Sequence, residues 1–104
     1  MSYSDKRRYP RLPVLMECRV DGSSGHAEMR LTDLSPVGCY VDTNIVFPPE
    51  TRVNLSVMLG DSEVKLSGRV VPMPSGGFGF GVEFVDLDDS TRQQLETYIQ
   101  TRGQ

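Results

Sequence analysis

Short segments that alternate hydrophobic and polar residues fill much of the chain between positions 14 and 84. In "VLMECRV" at 14–20, every second residue from Val14 to Val20 is apolar, and the residues between them include Glu17 and Arg19. A period of two over four to eight residues is typical of strands with one buried face. By the same pattern, further strands are predicted at 28–34, 38–41, 52–59, 64–71 and 78–84.

Turn-forming residues separate these predicted strands. The clusters are "DGSSG" at 21–25, "FPPE" at 47–50, "GDS" at 60–62 and "PSGG" at 74–77. The last strand is expected to place Phe78, Phe80, Val82 and Phe84 on one face. About six short antiparallel strands at this spacing predict a small barrel or a sandwich, and closure into a barrel would also remove exposed edges.

The C-terminal segment at 86–102 has a helical period instead. Leu95, Tyr98 and Ile99 are spaced i, i+3, i+4, which gives a narrow apolar stripe. Ser90 with Gln93 three residues later has the form of a capping box, so the helix is expected to be capped there. We expect this helix to lie across one end of the barrel, although its stripe could instead contact a partner.

Length and composition narrow the class of protein. A chain of 104 residues is expected to form one domain with one modest core. No apolar run approaches the roughly 18 residues of a membrane span, and the N-terminus lacks the apolar segment of a secretion signal. We therefore expect a cytoplasmic protein without membrane insertion. The predicted organisation is a flexible basic arm at 1–12, a β-barrel at 13–85, and a C-terminal helix and tail at 86–104.

Two cysteines and one histidine offer little reactive chemistry. Cys18 and Cys39 are too few for a disulfide scaffold and lack metal-ligand spacing, so both are expected to be reduced. His26 lies in "DGSSGH", a predicted surface turn, without plausible ligand partners. The chain has no nucleophile–histidine pair, metal cluster or Walker-type loop. We expect no catalytic residue, no metal site and no enzymatic activity.

The positive charge is concentrated at the N-terminus. In "KRRYPRLP" at 6–13, four of the chain's 11 basic residues occupy six positions. Residues 1–12 carry four basic residues and one acidic residue, a net +3, whereas residues 13–104 carry seven basic and 13 acidic residues, a net −6. A local basic cluster on an acidic background favours a specific anionic target. With almost no apolar content, such an arm is expected to be mobile when unbound.

A second unusual segment is "LTDLSPVGCYV" at 31–41. The short side chains of Asp33 and Ser35 can hydrogen-bond to nearby backbone N–H groups, and Pro36 fixes one φ angle. Gly38 permits a positive φ or the close approach of a ligand. Taken alone, this segment predicts a tight turn between two strands.

Taken together, the two segments resemble the PilZ domain family. The family's RxxxR motif matches Arg7 to Arg11, and its DxSxxG motif matches Asp33 to Gly38. The similarity covers nearly the whole chain. Later segments that resemble the family's closing strands are "GRVV" at 68–71 and "GFGVEF" at 79–84.

The resemblance implies a mainly β fold, a small six-stranded antiparallel β-barrel of split-barrel type with a C-terminal α-helix. It also implies a receptor for cyclic di-GMP, a bacterial second messenger, which the arginine arm wraps against the barrel surface. No cofactor is expected beyond this ligand. The implied ligand-binding residues are Arg7 and Arg11, with Arg8 beside them, and Asp33, Ser35 and Gly38.

The chemistry of these residue types suits that ligand. A guanidinium group fits the O6 and N7 acceptors of guanine and also pairs with phosphate. The Asp33 carboxylate can accept from guanine N1–H and N2–H₂, and Ser35 could bond a phosphate oxygen or a guanine amine. Binding would order the arm, and the new surface would signal to an unidentified downstream protein partner.

Three other interpretations of the sequence stay open. The basic segment could be a solvated tail without a ligand, or the domain could be a protein-interaction adaptor that does not bind a ligand. The third is a small-barrel nucleic-acid-binding module. The net −6 of residues 13–104 and the lack of a basic and aromatic stripe along the strands make nucleic acid the less favoured target.

Overall fold

The computed structural model describes residues 12–22, 25–45, 47–71 and 78–102. Arg7, Arg8 and Arg11 lie outside the described residues, as does the predicted turn at 74–77. The elements are β1 (Leu12–Gly22), β2 (Gly25–Leu34), β3 (Gly38–Asp42), β4 (Arg52–Leu59), β5 (Ser62–Val71), β6 (Phe80–Phe84) and α1 (Asp89–Arg102).

The six strands close into one antiparallel barrel in the order β1-β2-β3-β6-β5-β4. Closure is made by β1, which pairs with β2 on one side and with β4 on the other, for example Cys18 opposite Val57. The predicted fold, a six-stranded antiparallel barrel with a C-terminal helix, is confirmed. The first strand begins at Leu12, one residue before the predicted start of the barrel.

The alternating residues fill the barrel as the period of two predicts. Along β4, Val53, Leu55 and Val57 are buried, while Arg52 and Asn54 face solvent. Burial of such side chains contributes about 1.5–3 kcal/mol each relative to exposure. The fully buried side chains of the barrel are Val20, Leu31, Leu34, Cys39, Val41, Val53, Leu55, Val57, Leu66, Val70 and Val82.

Close approach of β5 to β6 depends on Gly68. A Cβ atom at Gly68 would lie 2.4 Å from Cγ1 of Val82 and 2.8 Å from the carbonyl oxygen of Glu83. Neither distance is compatible with normal packing, so only glycine fits between these strands without a shift of the backbone.

The helix α1 is capped by Asp88 rather than by Ser90. The Asp88 Oδ1 atom accepts a hydrogen bond of 2.7 Å from the backbone N–H of Thr91, whereas Ser90 lies inside the helix. The predicted capping box at Ser90 is therefore wrong, because the capping residue lies two positions earlier in the sequence. Hydrogen bonds from Thr91 lower the pKa of Asp88, and the bond from the backbone N–H contributes more than the bond from the hydroxyl. As the apolar stripe predicts, Leu95 and Ile99 are buried.

The last strand is shorter than predicted. Phe78 was expected on the same face as Phe80, but its side chain is 78% exposed and β6 begins only at Phe80. Gly79 between them has φ 99°, and a Cβ atom there would lie 2.0 Å from the carbonyl oxygen of Val41. The positive φ angle of Gly79 interrupts the alternation of buried and exposed side chains that the amino-acid sequence alone predicts.

Both cysteines are free and buried. Burial raises the pKa of Cys18 to about 11. Burial also raises the pKa of Cys39 well above its usual value, with smaller contributions from the charges of Cys18 and Asp33. Both thiols are therefore protonated at neutral pH and behave as small apolar core groups.

No helix in the described part of the chain is long and apolar enough to cross a membrane.

Candidate functional site

The strand register places the start of β1 beside the DxSxxG turn. Leu12, the first residue of β1, lies opposite Leu34, and Pro13 lies opposite Asp33. Arg11 immediately precedes Leu12 in the sequence. The segment that carries RxxxR therefore joins the barrel directly beside the turn that carries DxSxxG.

Ser35 holds this turn together. Its side chain is buried, its Oγ donates to the Gly38 carbonyl oxygen at 3.1 Å, and it accepts from the N–H groups of Val37 at 3.2 Å and Gly38 at 3.1 Å. The Ser35 backbone N–H also donates to the Gly38 carbonyl at 2.9 Å. One donor and two acceptor positions are all that a hydroxyl has, so in this structure Ser35 shapes the turn. Its direct contact with a ligand stays a prediction.

Asp33 lies near the end of β2, between β1 and β3. Its neighbours across the strands are Pro13 and Tyr40, and the carboxylate residue is half-buried. The pairing of β2 is irregular on both sides, with a shift between Pro13 and Met16 on β1 and another between Leu31 and Asp33 on β2. Such bulges re-aim side chains at the ends of strands, which places Asp33 at the rim beside the turn.

Gly38 is the first residue of β3 and lies opposite Glu83 on β6. Among the described glycines, those with positive φ are Gly25, Gly60 and Gly79, so Gly38 is not required for a left-handed conformation. The neighbouring Cys39 is fully buried, and alternation therefore directs position 38 to the outer face. Gly38 is nevertheless buried, as is Glu83 opposite it, so its direct contact with a ligand stays a prediction.

Next to Gly38, an ion-pair group extends the outer face. Arg69 on β5 donates from Nε to Glu83 Oε1 at 2.8 Å and from Nη2 to the same oxygen, and from Nη1 to Glu50 Oε1 at 2.8 Å. These hydrogen bonds, first those to Glu83 and then the one to Glu50, raise the pKa of Arg69. The Arg69 side chain is 39% exposed, whereas Glu83 as a residue is only 7% exposed.

Glu83 is unusual for a carboxylate. Its Oε2 atom is buried and has no hydrogen-bond partner among the described residues, whereas Oε1 accepts two hydrogen bonds from Arg69. The residue lines a cleft with Pro36 and Val37 of the turn and with Arg92 of α1. Burial of a carboxylate oxygen without a partner is unfavourable and rare.

The structure thus places Asp33, Ser35 and Gly38 at one turn, with Glu83 and Arg69 in the row of paired residues that starts at Gly38, and the binding roles of these residues stay predictions. The sequence did not single out Glu83, because the alternation in "FGFGVEF" predicts an ordinary outward-facing residue at this position. Within residues 12–22, 25–45, 47–71 and 78–102, no group of three His, Cys, Asp or Glu side chains is arranged to hold a metal ion.

Comparison with protein families gives one match that spans most of the chain. The family model of the PilZ domain matches residues 5–101, which include both sequence motifs, the barrel and nearly all of α1. A search of curated protein sequences finds no match.

Solved structures with similar folds include several that carry PilZ domains. The PilZ domain of YcgR from Escherichia coli with c-di-GMP is 17% identical, with a TM-score of 0.70 over 92% of this chain and 90% of that one. The PilZ domain of CeSA from a cellulose-synthesizing bacterium is 18% identical, with a TM-score of 0.68 over 90% and 98%. The inhibitor of motility MotI/DgrA from Bacillus subtilis is 15% identical, with a TM-score of 0.77 over 94% of this chain; the match spans 51% of that longer protein.

Proposed function

The chain belongs to the PilZ domain family, and from this membership we propose that it is a receptor that binds cyclic di-GMP through its RxxxR segment and its DxSxxG turn. The observation that carries the proposal is the match of the PilZ model over residues 5–101, which contains both motifs in order. The pairing of Leu12 with Leu34 supports it, because it joins the arginine segment to the barrel beside the turn. We propose binding, not catalysis, as the activity.

In this proposal, Arg7 and Arg11 neutralise the two phosphates and present their planar guanidinium groups to guanine. A guanidinium fork matches the O6 and N7 atoms of guanine, and a bidentate contact of this kind is worth about 1–3 kcal/mol of discrimination. Arg8 is adjacent and adds positive charge. Charge-assisted hydrogen bonds of this type are the strong ones at a protein surface.

Asp33 supplies the complementary acceptor. Its carboxylate accepts from guanine N1–H and N2–H₂, a pair of donors that adenine does not present. Ser35 keeps the turn in shape through its three hydrogen bonds, and Gly38, buried at the start of β3, adds no side chain beside the proposed ligand. The turn thus acts as a rigid platform, on which preorganisation reduces the cost of binding.

We propose that the signal leaves the domain through the arm. Residues 1–12 carry a net charge of +3, and cyclic di-GMP supplies the compensating negative charge. Binding would draw the arm across the barrel beside Asp33, a disorder-to-order change that creates a new surface for a partner protein. Ordering the arm costs free energy, so the affinity is expected to be moderate.

Isothermal titration with four ligands tests the binding proposal. Cyclic di-GMP should bind with a clear saturation point, whereas cyclic di-AMP, GMP and a single-stranded oligonucleotide should bind at least about tenfold more weakly. Preference for the oligonucleotide would instead favour a nucleic-acid module, and absence of binding to all four would favour an adaptor without a ligand.

Amide hydrogen exchange tests the signalling step separately. Protection should rise on addition of cyclic di-GMP in residues 6–12 and 33–39, while α1 changes less. An arm that is already fully protected without ligand would contradict the switch but not the binding.

A further inference from the structure

Arg69 has unused hydrogen-bonding capacity beside the proposed site. A guanidinium group has five N–H bonds. Three of them donate to Glu83 and Glu50, and with its side chain 39% exposed Arg69 retains two N–H groups for another acceptor. Two carboxylates fix the plane of the guanidinium, so these remaining donors have a defined direction.

The strand register places Arg69 in the same row as the turn. Gly38 lies opposite Glu83, and Glu83 lies opposite Arg69, on three neighbouring strands. Adjacent strands are about 4.8 Å apart, so the Cα atom of Arg69 lies about 10 Å from that of Gly38. Gly38 itself is buried, but with its long, 39% exposed side chain Arg69 can extend toward a ligand bound beside the turn.

Resting on the proposed function, we propose that Arg69 is a further specificity-determining residue of the nucleotide site. It donates its two remaining N–H groups to O6 and N7 of one guanine of cyclic di-GMP. In this arrangement the arm and Asp33 read one side of the ligand, and Arg69 reads the base on the opposite side.

The local charge selects a base rather than a phosphate as the partner of Arg69. Glu83 and Glu50 together carry two negative charges against the single positive charge of Arg69. A phosphate would meet this net negative group at close range, whereas the O6 and N7 atoms of guanine are uncharged acceptors. Adenine presents an amine in place of O6 and would meet the arginine donors with a donor of its own.

Glu83 provides the second observation that points to function. It is a positioning residue, because it holds Arg69 through Oε1 while its buried Oε2 has no partner in the part of the chain that the structure describes. A folded domain gains nothing in stability from such an oxygen. Buried polar atoms without a partner are found mainly at functional sites, where the position of a neighbouring group matters more than the free energy lost at that atom.

The test compares two ligands and two matched variants. Arg69→Lys keeps the positive charge beside Glu83 but removes the planar pair of donors. Arg52→Lys is the control, because Arg52 lies opposite Arg69 on β4, is 65% exposed and forms an ion pair with Asp86 at 3.7 Å. Affinities are measured for cyclic di-GMP and for cyclic GMP–AMP, in which one guanine is replaced by adenine, and thermal melts verify that each variant is folded.

Wild type should prefer cyclic di-GMP over cyclic GMP–AMP by about tenfold or more. Arg69→Lys should lower that preference to less than about threefold, chiefly by weakening cyclic di-GMP, whereas Arg52→Lys should leave it unchanged. If Arg69→Lys keeps the preference of the wild type, or loses affinity equally for both ligands, the role assigned to Arg69 is overturned while the proposed function stands. Absence of cyclic di-GMP binding in the wild type would instead overturn the proposed function on which it rests.

Discussion

Leu12 lies opposite Leu34 at the start of the β1–β2 pair. Leu34 is the residue between Asp33 and Ser35, and Leu12 follows Arg11 directly in the sequence. The residue that directly follows the RxxxR motif in the sequence is therefore paired with a residue of the DxSxxG motif, although the two motifs are more than 20 residues apart along the chain. In the proposed complex, this pairing would let one ligand contact both motifs.

Guanine specificity should depend on Asp33. We expect cyclic di-GMP to bind more than about tenfold tighter than cyclic di-AMP, which corresponds to about 1.4 kcal/mol. Asp33→Asn should reduce this difference, because an amide both donates and accepts and no longer selects the two donors of guanine. Asp42→Asn, at the exposed far end of β3, is the matched control and should retain the full preference. Equal affinity of the wild type for both dinucleotides would contradict guanine readout.

The Ser35 hydroxyl should matter for folding as much as for binding. Ser35→Ala removes three hydrogen bonds inside a buried turn and leaves the N–H groups of Val37 and Gly38 without that acceptor. The free energy of unfolding, measured by urea denaturation, should fall by about 1–3 kcal/mol.

Ser67→Ala is the control for Ser35→Ala, because Ser67 donates at 2.9 Å to Asn54 on the exposed face. Its effect on the free energy of unfolding should be within about 0.5 kcal/mol. If Ser35→Ala unfolds at the same urea concentration as wild type, the turn does not depend on this hydroxyl.

The contact between β5 and β6 should not tolerate a side chain at Gly68. Gly68→Ala would press Cβ to 2.4 Å from the Val82 side chain and should lower the free energy of unfolding by about 1–3 kcal/mol. At Gly22 the same substitution meets Phe47 at 3.5 Å, an ordinary contact, and should cost less than about 1 kcal/mol. Similar unfolding midpoints for the two variants would contradict this packing.

Helix α1 should lose stability in acid through Asp88. Because the folded-state pKa of Asp88 is lowered by Thr91, its stabilisation is present above the unfolded pKa and is lost as the pH falls through the folded value. Asp88→Ala should lower the melting temperature at pH 7, and the difference from wild type should shrink at about pH 2. The control is Asp61→Ala in the exposed β4–β5 turn, which should not change the melting temperature at pH 7. A difference of the same size at both pH values would exclude the capping role.

Strand periodicity predicted much of the barrel, because burial inside a small barrel imposes a strict period of two. It predicted six strands and the apolar faces of β1 and β4, and the family resemblance chose the barrel over the sandwich. The prediction for Phe78 was wrong because a positive φ at Gly79 interrupts the alternation, and a φ angle is not encoded in a hydrophobicity pattern.

The local chemistry of the helix start was also misjudged. Both Asp88 and Ser90 are good capping residues, and only the position of the first helical turn decides between them. The Glu83–Arg69 pair could not be predicted, because it depends on the register between β5 and β6.

By contrast, the DxSxxG turn could be predicted from the sequence, since Ser35 and Gly38 interact over only three residues.

Calorimetry with cyclic di-GMP on the wild type and on Arg11→Ala tests the central claim most directly, with Arg19→Ala, an exposed arginine on β1, as the control. We predict saturable binding to wild type and to Arg19→Ala. Arg11→Ala should weaken that binding by about 2 kcal/mol or more while its melting temperature stays unchanged, because the residue precedes the first strand. Arg11→Ala that unfolds more easily but binds cyclic di-GMP with full affinity would contradict the account.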